Sequence, residues 1–160
     1  ALNRFMGDCS RLARLPDPKI APVDLASCVR NSAALEKRLD VRIEEGPMVT
    51  VGADQDQLEQ VLINLVKNAV EASLENRGAV TVGWALSDDM AEIVIRDEGP
   101  GLPESGNLFV PFFTTKKDGS GIGLFLSRQI AEAHGGSVAV QNRADRPGCR
   151  AVLRVPVISP

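Results

Sequence analysis

The chain has 160 residues, of which 44% are apolar and 24% charged, and its net charge is −3. These values indicate one globular domain with a sizeable core, and the weak negative charge gives no reason to expect a nucleic acid or an anionic membrane as partner. No apolar run approaches the roughly 20 residues of a membrane span, and no export leader opens the chain, so we expect a cytoplasmic domain, in a parent protein that the inner membrane could anchor. Three well-separated cysteines, Cys9, Cys28 and Cys149, predict free thiols in a reducing compartment.

The first 22 residues read as a segment joining two domains. Residues 1–15 have apolar side chains at helical spacing, and three prolines then interrupt residues 16–22. We therefore expect the end of a preceding helix at 1–15, a linker at 16–22 and one domain at 23–160. The alternative is a simple N-terminal arm of the same domain.

The remaining elements alternate between the hydrophobic period of a helix, about 3.6 residues, and that of a strand, about 2 residues. We expect helices at 25–40, capped by Asp24, at 54–76, and from 122 to His134, where Gly135-Gly136 ends the helix. Strands are predicted at 41–45, 48–53, 79–87, 91–97, 137–142 and 149–157, with Gly46-Pro47 turning the first strand into the second. This order predicts an α/β two-layer sandwich, with a mixed, mostly antiparallel sheet covered by three helices on one face.

A polar stripe follows the long helix beside its apolar side. Asn64, Asn68 and Glu71 fall within about 60° of each other on a helical wheel. Asparagine is a poor helix former, and its amide oxygen is a ligand type suited to Mg²⁺. The alternative is an ordinary solvated helix face.

The segment DEGPG (97–101) is predicted to bind the base of a nucleotide. A carboxylate at Asp97, just past a strand, can accept a hydrogen bond from the adenine amino group, and glycines let a flat ring approach the backbone. Guanine would oppose this carboxylate with a carbonyl oxygen, so we expect a preference for ATP over GTP. The alternative makes Asp97 a turn residue ahead of Gly99.

The segment from 102 to 124 contains three phenylalanines, two lysines and the cluster GSGIG (119–123), which runs into a helix. A glycine loop at a helix N-terminus suits an anion such as phosphate. We expect a mobile lid between this cluster and the glycines Gly99 and Gly101.

Four segments together resemble a known family: EQVLINLVKNAVEA (59–72), DEGPG (97–101), LFVPFFTTK (108–116) and GSGIGL (119–124). They are similar, in order and separation, to the asparagine, first glycine, phenylalanine and second glycine boxes of sensor histidine-kinase catalytic domains. Those domains belong to the GHKL, or Bergerat-fold, ATPase superfamily of DNA gyrase, mismatch-repair ATPases and heat-shock chaperones. The third and fourth boxes, with RLPxP at 14–18, are most similar to nitrogen-regulation-type sensor kinases.

The resemblance implies roles for single residues. Asn68 would bind Mg²⁺, Asn64 would help to hold phosphate or metal, Asp97 would take the adenine amino group, and Lys116 would reach the phosphates. Asn64, Asn68 and Lys116 would thus be the catalytic set. The ATP lid would run from Leu102 to Ser120, with Phe109, Phe112 and Phe113 anchoring it in the core. The implied ATP-binding residues are Asn64, Asn68, Glu71, Asp97, Gly99, Gly101, Leu102, Thr115, Lys116, Gly119, Ser120, Gly121, Ile122, Gly123 and Leu124. Two positions depart from the family pattern, because Glu71 stands where some kinases have Lys or Arg, and Cys149 replaces a common threonine.

The implied activity is transfer of the γ-phosphoryl group of Mg-ATP to a histidine on a separate dimerisation domain of the same parent protein. That parent would be a homodimer, with a response regulator downstream. The one histidine, His134, lies at a predicted helix C-terminus and is expected to be structural. An anti-sigma-type serine kinase and a non-catalytic nucleotide-binding module remain alternatives, although the linker-like residues 16–22 disfavour the free-standing serine kinase.

Overall fold

The computed structural model describes residues 15–102 and 123–158. These residues form three helices, α1 (Leu25–Ala34), α2 (Gln55–Ser73) and α3 (Gly123–Ala133). Their strands are β1 (Ala21–Asp24), β2 (Val41–Glu44), β3 (Thr50–Ala53), β4 (Val80–Ser87), β5 (Met90–Arg96), β6 (Ser137–Asn142) and β7 (Cys149–Pro156). No helix in this part of the chain is both long and apolar enough to cross a bilayer.

The strands form a five-stranded sheet in the order β2-β4-β5-β7-β6 and a two-stranded sheet of β1 and β3. Only β2 and β4 pair in parallel, and every other pair is antiparallel. Alternate side chains of the large sheet face the helices, as in the row Val82, Ile95 and Ala151, whose members pair across three strands and are all buried. The predicted two-layer α/β sandwich is confirmed.

Helix α2 is the central helix of the layer and packs against both α1 and α3. Asp54 caps it, because its side chain accepts a hydrogen bond from the Gln57 backbone N–H at 3.2 Å. The apolar stripe of α2 is buried, with Leu58, Leu62 and Leu65 each at most 2% exposed. Burial of this stripe against the sheet leaves the neighbouring polar stripe at the margin of the core, where a ligand can reach it.

Two sequence predictions differ from the structure. Helix α1 ends at Ala34, six residues before the predicted end at residue 40. The strands around Gly46-Pro47 enter different sheets, since β2 pairs with β4 whereas β3 pairs with β1. Trp84 contributes to the second difference: β2 pairs with β4 only as far as Gly83, and the next residue of β4, Trp84, donates its Nε1–H to Pro47 O at 2.8 Å in the connection to β3.

The segment predicted as a linker is bonded to the domain. Its last two residues belong to β1. Upstream of them, Pro16 O accepts from Gln57 Nε2 and Lys19 N donates to Asp54 Oδ2, both at 3.0 Å. Residues 1–14 of the predicted preceding helix lie outside the described residues.

His134 is buried beside the same junction. Its Nε2 accepts from the Asp54 backbone N–H at 3.0 Å, and its Nδ1 lies 2.7 Å from Ile130 O. One nitrogen must accept and the other donate, which fits a neutral ring protonated on Nδ1. These two contacts with the main chain support the structural role predicted for His134.

Candidate nucleotide-binding site

Asp97 is buried immediately after the end of β5, with 5% of its surface exposed. Its Oδ1 accepts two backbone hydrogen bonds, from Gly99 N at 3.0 Å and from Cys149 N at 2.9 Å. Of the described residues, none donates a hydrogen bond to Oδ2. The two described bonds thus hold the carboxylate through one of its two oxygens.

Cys149 supports Asp97 through its main chain. In addition to the N–H bond to Oδ1, Cys149 O accepts from Asp97 N at 3.0 Å. Burial, and then the nearby charge of Asp97, raise the pKa of the Cys149 thiol to about 11, so the thiol is neutral at physiological pH. Replacement of the family's threonine by cysteine therefore leaves these two main-chain bonds in place.

The residue between Asp97 and Gly99 fastens the same loop from the other side. Glu98 Oε1 accepts from Ala79 N at 2.6 Å, Glu98 N donates to Ser73 Oγ at 3.1 Å, and Glu98 O accepts from Asn76 Nδ2 at 2.7 Å. The bond from Ala79, followed by Arg146, lowers the pKa of Glu98. Glu98 was not predicted as a site residue, since its contacts come from segments that are distant in the chain.

The glycines of this loop serve close packing. A Cβ on Gly99 would lie 2.6 Å from Ala72 O and 2.8 Å from Ala72 Cβ on α2. A Cβ on Gly101 would lie 2.8 Å from Asn142 Oδ1, which accepts from Leu102 N at 2.7 Å. Gly99 thus lets the loop that carries Asp97 lie directly on the helix that carries the asparagines.

Gly99→Ala is expected to destabilise the domain by about 1–3 kcal/mol, because the loop and α2 must separate to admit one methyl group. The variant should also bind ATP more weakly, since the separation displaces Asp97 from α2. Chemical denaturation and calorimetric titration would measure the two effects. Gly83→Ala is the matched control, because its Cβ would meet nothing closer than 3.4 Å. Equal losses in the two variants would contradict this role of Gly99.

Asn64 lies against the beginning of α3. Its Nδ2 donates to Ser127 Oγ at 2.9 Å, and a Cβ on Gly123 would lie 2.5 Å from Asn64 Oδ1. Ser127, a buried residue that the sequence analysis did not single out, orients the amide. The structure therefore brings the polar stripe of α2 to the helix whose N-terminus follows the GSGIG segment.

Asn68 and Glu71 are half-buried on α2, and Glu71 contacts Arg38, a residue that the sequence motifs did not include. Arg38, in the connection after α1, has its Nη1 3.5 Å from Glu71 Oε1 and its Nη2 2.9 Å from Glu36 Oε2. Hydrogen bonding from Arg38 lowers the pKa of Glu36 to about 2. Arg38 and Glu71 are 33 residues apart, so no spacing pattern could have predicted their contact.

The remaining predicted site residues fall in two groups. Leu124 is half-buried at the start of α3 and packs against the hydrophobic core. Outside the described residues lie Phe109, Phe112, Phe113, Thr115, Lys116, Gly119, Ser120, Gly121 and Ile122, and their roles remain predictions. Within the described ranges, no three His, Cys, Asp or Glu side chains converge as metal ligands, and the amide predicted to bind metal at Asn68 is not of that kind.

Asp97 is a buried carboxylate held by two backbone N–H groups, and its loop packs through Gly99 on the helix that carries Asn64 and Asn68. These features are typical of a nucleotide-binding α/β sandwich. The chain belongs to the family of histidine kinase-, DNA gyrase B- and HSP90-like ATPases, whose profile matches residues 53–159. The resemblance seen in the sequence motifs is confirmed, and the chain is an ATP-binding catalytic domain of the histidine-kinase type.

Known proteins similar to this chain are sensor histidine kinases. The sensor protein FixL of Bradyrhizobium diazoefficiens is 38% identical over 127 residues, which cover 76% of this chain and 25% of FixL. Histidine kinase ThkA, solved with the response regulator protein TrrA, is 26% identical with a TM-score of 0.79, covering 98% of this chain and 48% of ThkA.

Full-length ShkA, solved with AMPPNP, is 26% identical with a TM-score of 0.81, covering 99% of this chain and 36% of ShkA. The chain therefore spans a quarter of the length of FixL and less than half of the lengths of ThkA and ShkA.

Proposed function

We propose that this domain binds Mg-ATP and delivers the γ-phosphoryl group to a histidine on a separate phosphoacceptor domain of its parent protein. The observation that carries the proposal is the buried carboxylate of Asp97, held through Oδ1 on a loop that packs through Gly99 against α2. The family assignment and the AMPPNP bound to ShkA support a nucleotide as ligand.

Asp97 would select the base. With Oδ1 occupied by two backbone N–H groups, Oδ2 is the acceptor for the exocyclic amino group of adenine. Guanine would direct a carbonyl oxygen at the same carboxylate, and the resulting unpaired, repelling oxygens would cost roughly 1–3 kcal/mol. The proposal therefore includes selectivity for ATP over GTP.

The polar face of α2 fits a magnesium ion bound together with phosphate. Asn68 supplies an amide oxygen, and Glu71 a carboxylate that could act through water; both oxygen types suit Mg²⁺, which keeps several waters and bridges to phosphates. Once bound, the ion would neutralise phosphate charge. Lys116 and the backbone N–H groups of GSGIG would add to that neutralisation, as the motifs predict.

Asn64 would not activate water for hydrolysis. In the gyrase-like branch a glutamate at the position of Asn64 acts as general base, whereas the Asn64 amide has no basic site at neutral pH and donates to Ser127. Hydrolysis should therefore be very slow, and transfer would require an added nucleophile. His134 is a poor candidate, because both of its ring nitrogens contact the main chain.

The proposed partners follow from this need for an outside nucleophile. A phosphoacceptor helix pair, forming a homodimer in the parent protein, would precede residue 16, and the contacts of Pro16 and Lys19 with α2 would connect it to this domain. A response regulator would act downstream, as suggested by the complex of ThkA with TrrA.

The test supplies the parent's phosphoacceptor domain in trans, with γ-labelled ATP and Mg²⁺. The expected product is an acid-labile, alkali-stable phosphoryl group on the acceptor histidine, and little phosphate should be released without acceptor. ATP binding without phosphohistidine would favour the non-catalytic module, and an acid-stable phosphoserine the serine kinase. Rapid, acceptor-free hydrolysis that survives Asn64→Ala would overturn the assignment.

A further inference from the structure

Arg143 lies directly after β6 and contacts the main chain of Asp97. Its Nη1 donates to Asp97 O at 3.0 Å, and only 11% of the arginine side chain is exposed. None of the sequence motifs includes Arg143.

A carboxylate in the same turn holds the guanidinium in place. Arg143 Nε donates to Asp145 Oδ1 at 3.0 Å, and its Nη2 donates to Asp145 Oδ2 at 2.9 Å. Such a two-point pair fixes the plane of the guanidinium, and Arg143 N closes the turn by donating to Gly148 O at 2.9 Å. The free Nη1 is therefore directed at Asp97 O by the turn itself.

The main chain of Asp97 needs this contact because the sheet ends there. The last paired residues of β5 and β7 are Arg96 and Arg150. Asp97 N still donates to Cys149 O, but the Asp97 carbonyl is bonded by a guanidinium instead of a strand. Gly148, at φ +134°, lies so close to this carbonyl that a side chain there would collide with it.

We propose that Arg143 is a positioning residue for base recognition, which aims the Asp97 carboxylate by holding the Asp97 carbonyl against the β6–β7 turn. The inference rests on the proposed function, since it assumes that Asp97 reads adenine. One turn then holds both ends of Asp97, its carbonyl through Arg143 and its carboxylate through Cys149 N. Loss of the guanidinium would let the carboxylate shift relative to α2, against which the ligand is bound.

The same turn provides a matched control. Arg146 Nη1 lies 3.3 Å from Glu98 Oε2 and its Nε lies 3.3 Å from Asp145 Oδ2, and the Arg146 side chain is 56% exposed. Exposed pairs of this kind contribute little, and neither of them reaches Asp97. The two arginines therefore share chemistry and location but differ in the contact at issue.

The experiment measures the Kd of AMPPNP and of GTP, by calorimetric titration of the 160-residue chain with Mg²⁺, for the Arg143→Met, Arg143→Lys and Arg146→Met variants. Arg143→Met should raise the Kd of AMPPNP by roughly tenfold, as expected for loss of a charged hydrogen bond to a buried carbonyl, and should reduce the preference for adenine. Arg143→Lys, which can still donate to Asp97 O, should lose less, and Arg146→Met should change the Kd less than about twofold.

A double variant shows whether Arg143 acts through Asp97. In an Asp97→Asn background, Arg143→Met should raise the Kd of AMPPNP by less than about a further twofold. If Arg143 instead acted independently of Asp97, the Kd increases of the two single variants would multiply in the double variant. Full multiplication, or equal Kd values for Arg143→Met and Arg146→Met, would overturn the inference.

Two further results complete the test. If Arg143→Met does not fold, the Asp145→Asn variant replaces it, because it loosens the guanidinium of Arg143 without removing it. Asp145→Asn should give a smaller loss of AMPPNP affinity than Arg143→Met. An unchanged affinity in Asp145→Asn would also overturn the inference. If Asp97→Asn itself binds AMPPNP like the unaltered chain, the proposed base pocket fails. If Asp97→Asn weakens binding and Arg143→Met does not, only the role of Arg143 fails.

Discussion

Asp97→Asn is expected to raise the Kd for ATP by roughly 10- to 100-fold, while the melting temperature changes little. The substitution keeps the shape of the side chain, so an asparagine Oδ1 can still accept from Gly99 N and Cys149 N. The second oxygen becomes an NH₂ group, however, and two donors then face each other where adenine presents its amino group. Titration calorimetry with ATP and differential scanning calorimetry would measure the two quantities.

The companion nucleotide and a second variant make the Asp97 test specific. GTP should be rejected less strongly by Asp97→Asn, because an amide NH₂ can donate to the guanine carbonyl. Asp97→Ala should instead lower the melting temperature, since it leaves two N–H groups without their acceptor. Unchanged ATP affinity in a folded Asp97→Asn variant would remove Asp97 from the base pocket.

Asn68→Ala is expected to abolish the difference in ATP affinity between Mg²⁺ and EDTA, and to reduce phosphotransfer by about 100-fold or more. The amide oxygen is the ligand that α2 would offer to the ion, and an alanine offers none. The fold should survive, because Asn68 lies beside the buried stripe of α2 and alanine is the stronger helix former.

Lys67→Ala is the control for Asn68→Ala, since Lys67 is the preceding residue of α2 and is exposed. It should leave the Mg²⁺ dependence of ATP binding intact. Nucleotide titrations with and without Mg²⁺, together with the transfer assay in trans, would separate the two variants. Persistence of the full Mg²⁺ effect in Asn68→Ala would show that another group binds the ion.

The elements that sequence patterns predicted best are those with long, regular periodicity. Helix α2 and the pair β4 and β5 were predicted within three residues at each boundary, and β6 was predicted exactly at 137–142. Gly135, which was predicted to end α3, does adopt a positive φ. These features depend on contacts between residues close in the chain, which a single sequence contains in full.

The errors occur where contacts between distant segments override the structure that the local sequence pattern predicts. The local pattern at 41–53 predicted two strands correctly, but Trp84 and the parallel pairing with β4 decided that they enter separate sheets. The predicted end of α1 was too late for a similar reason, since residues 36–38 leave the helix and Arg38 bonds to both Glu36 and Glu71.

The candidate site divides in the same way. By itself the sequence determined the family, through the order of its motifs along the chain, and it predicted Asn64, Asn68 and Asp97 as site residues from their functional groups. Only the tertiary structure decided how those groups are held: Asp97 by Cys149 N and Arg143, and Asn64 by Ser127. The physical reason is that orientation depends on hydrogen bonds between residues 46 to 63 positions apart, which folding brings together and no local pattern encodes.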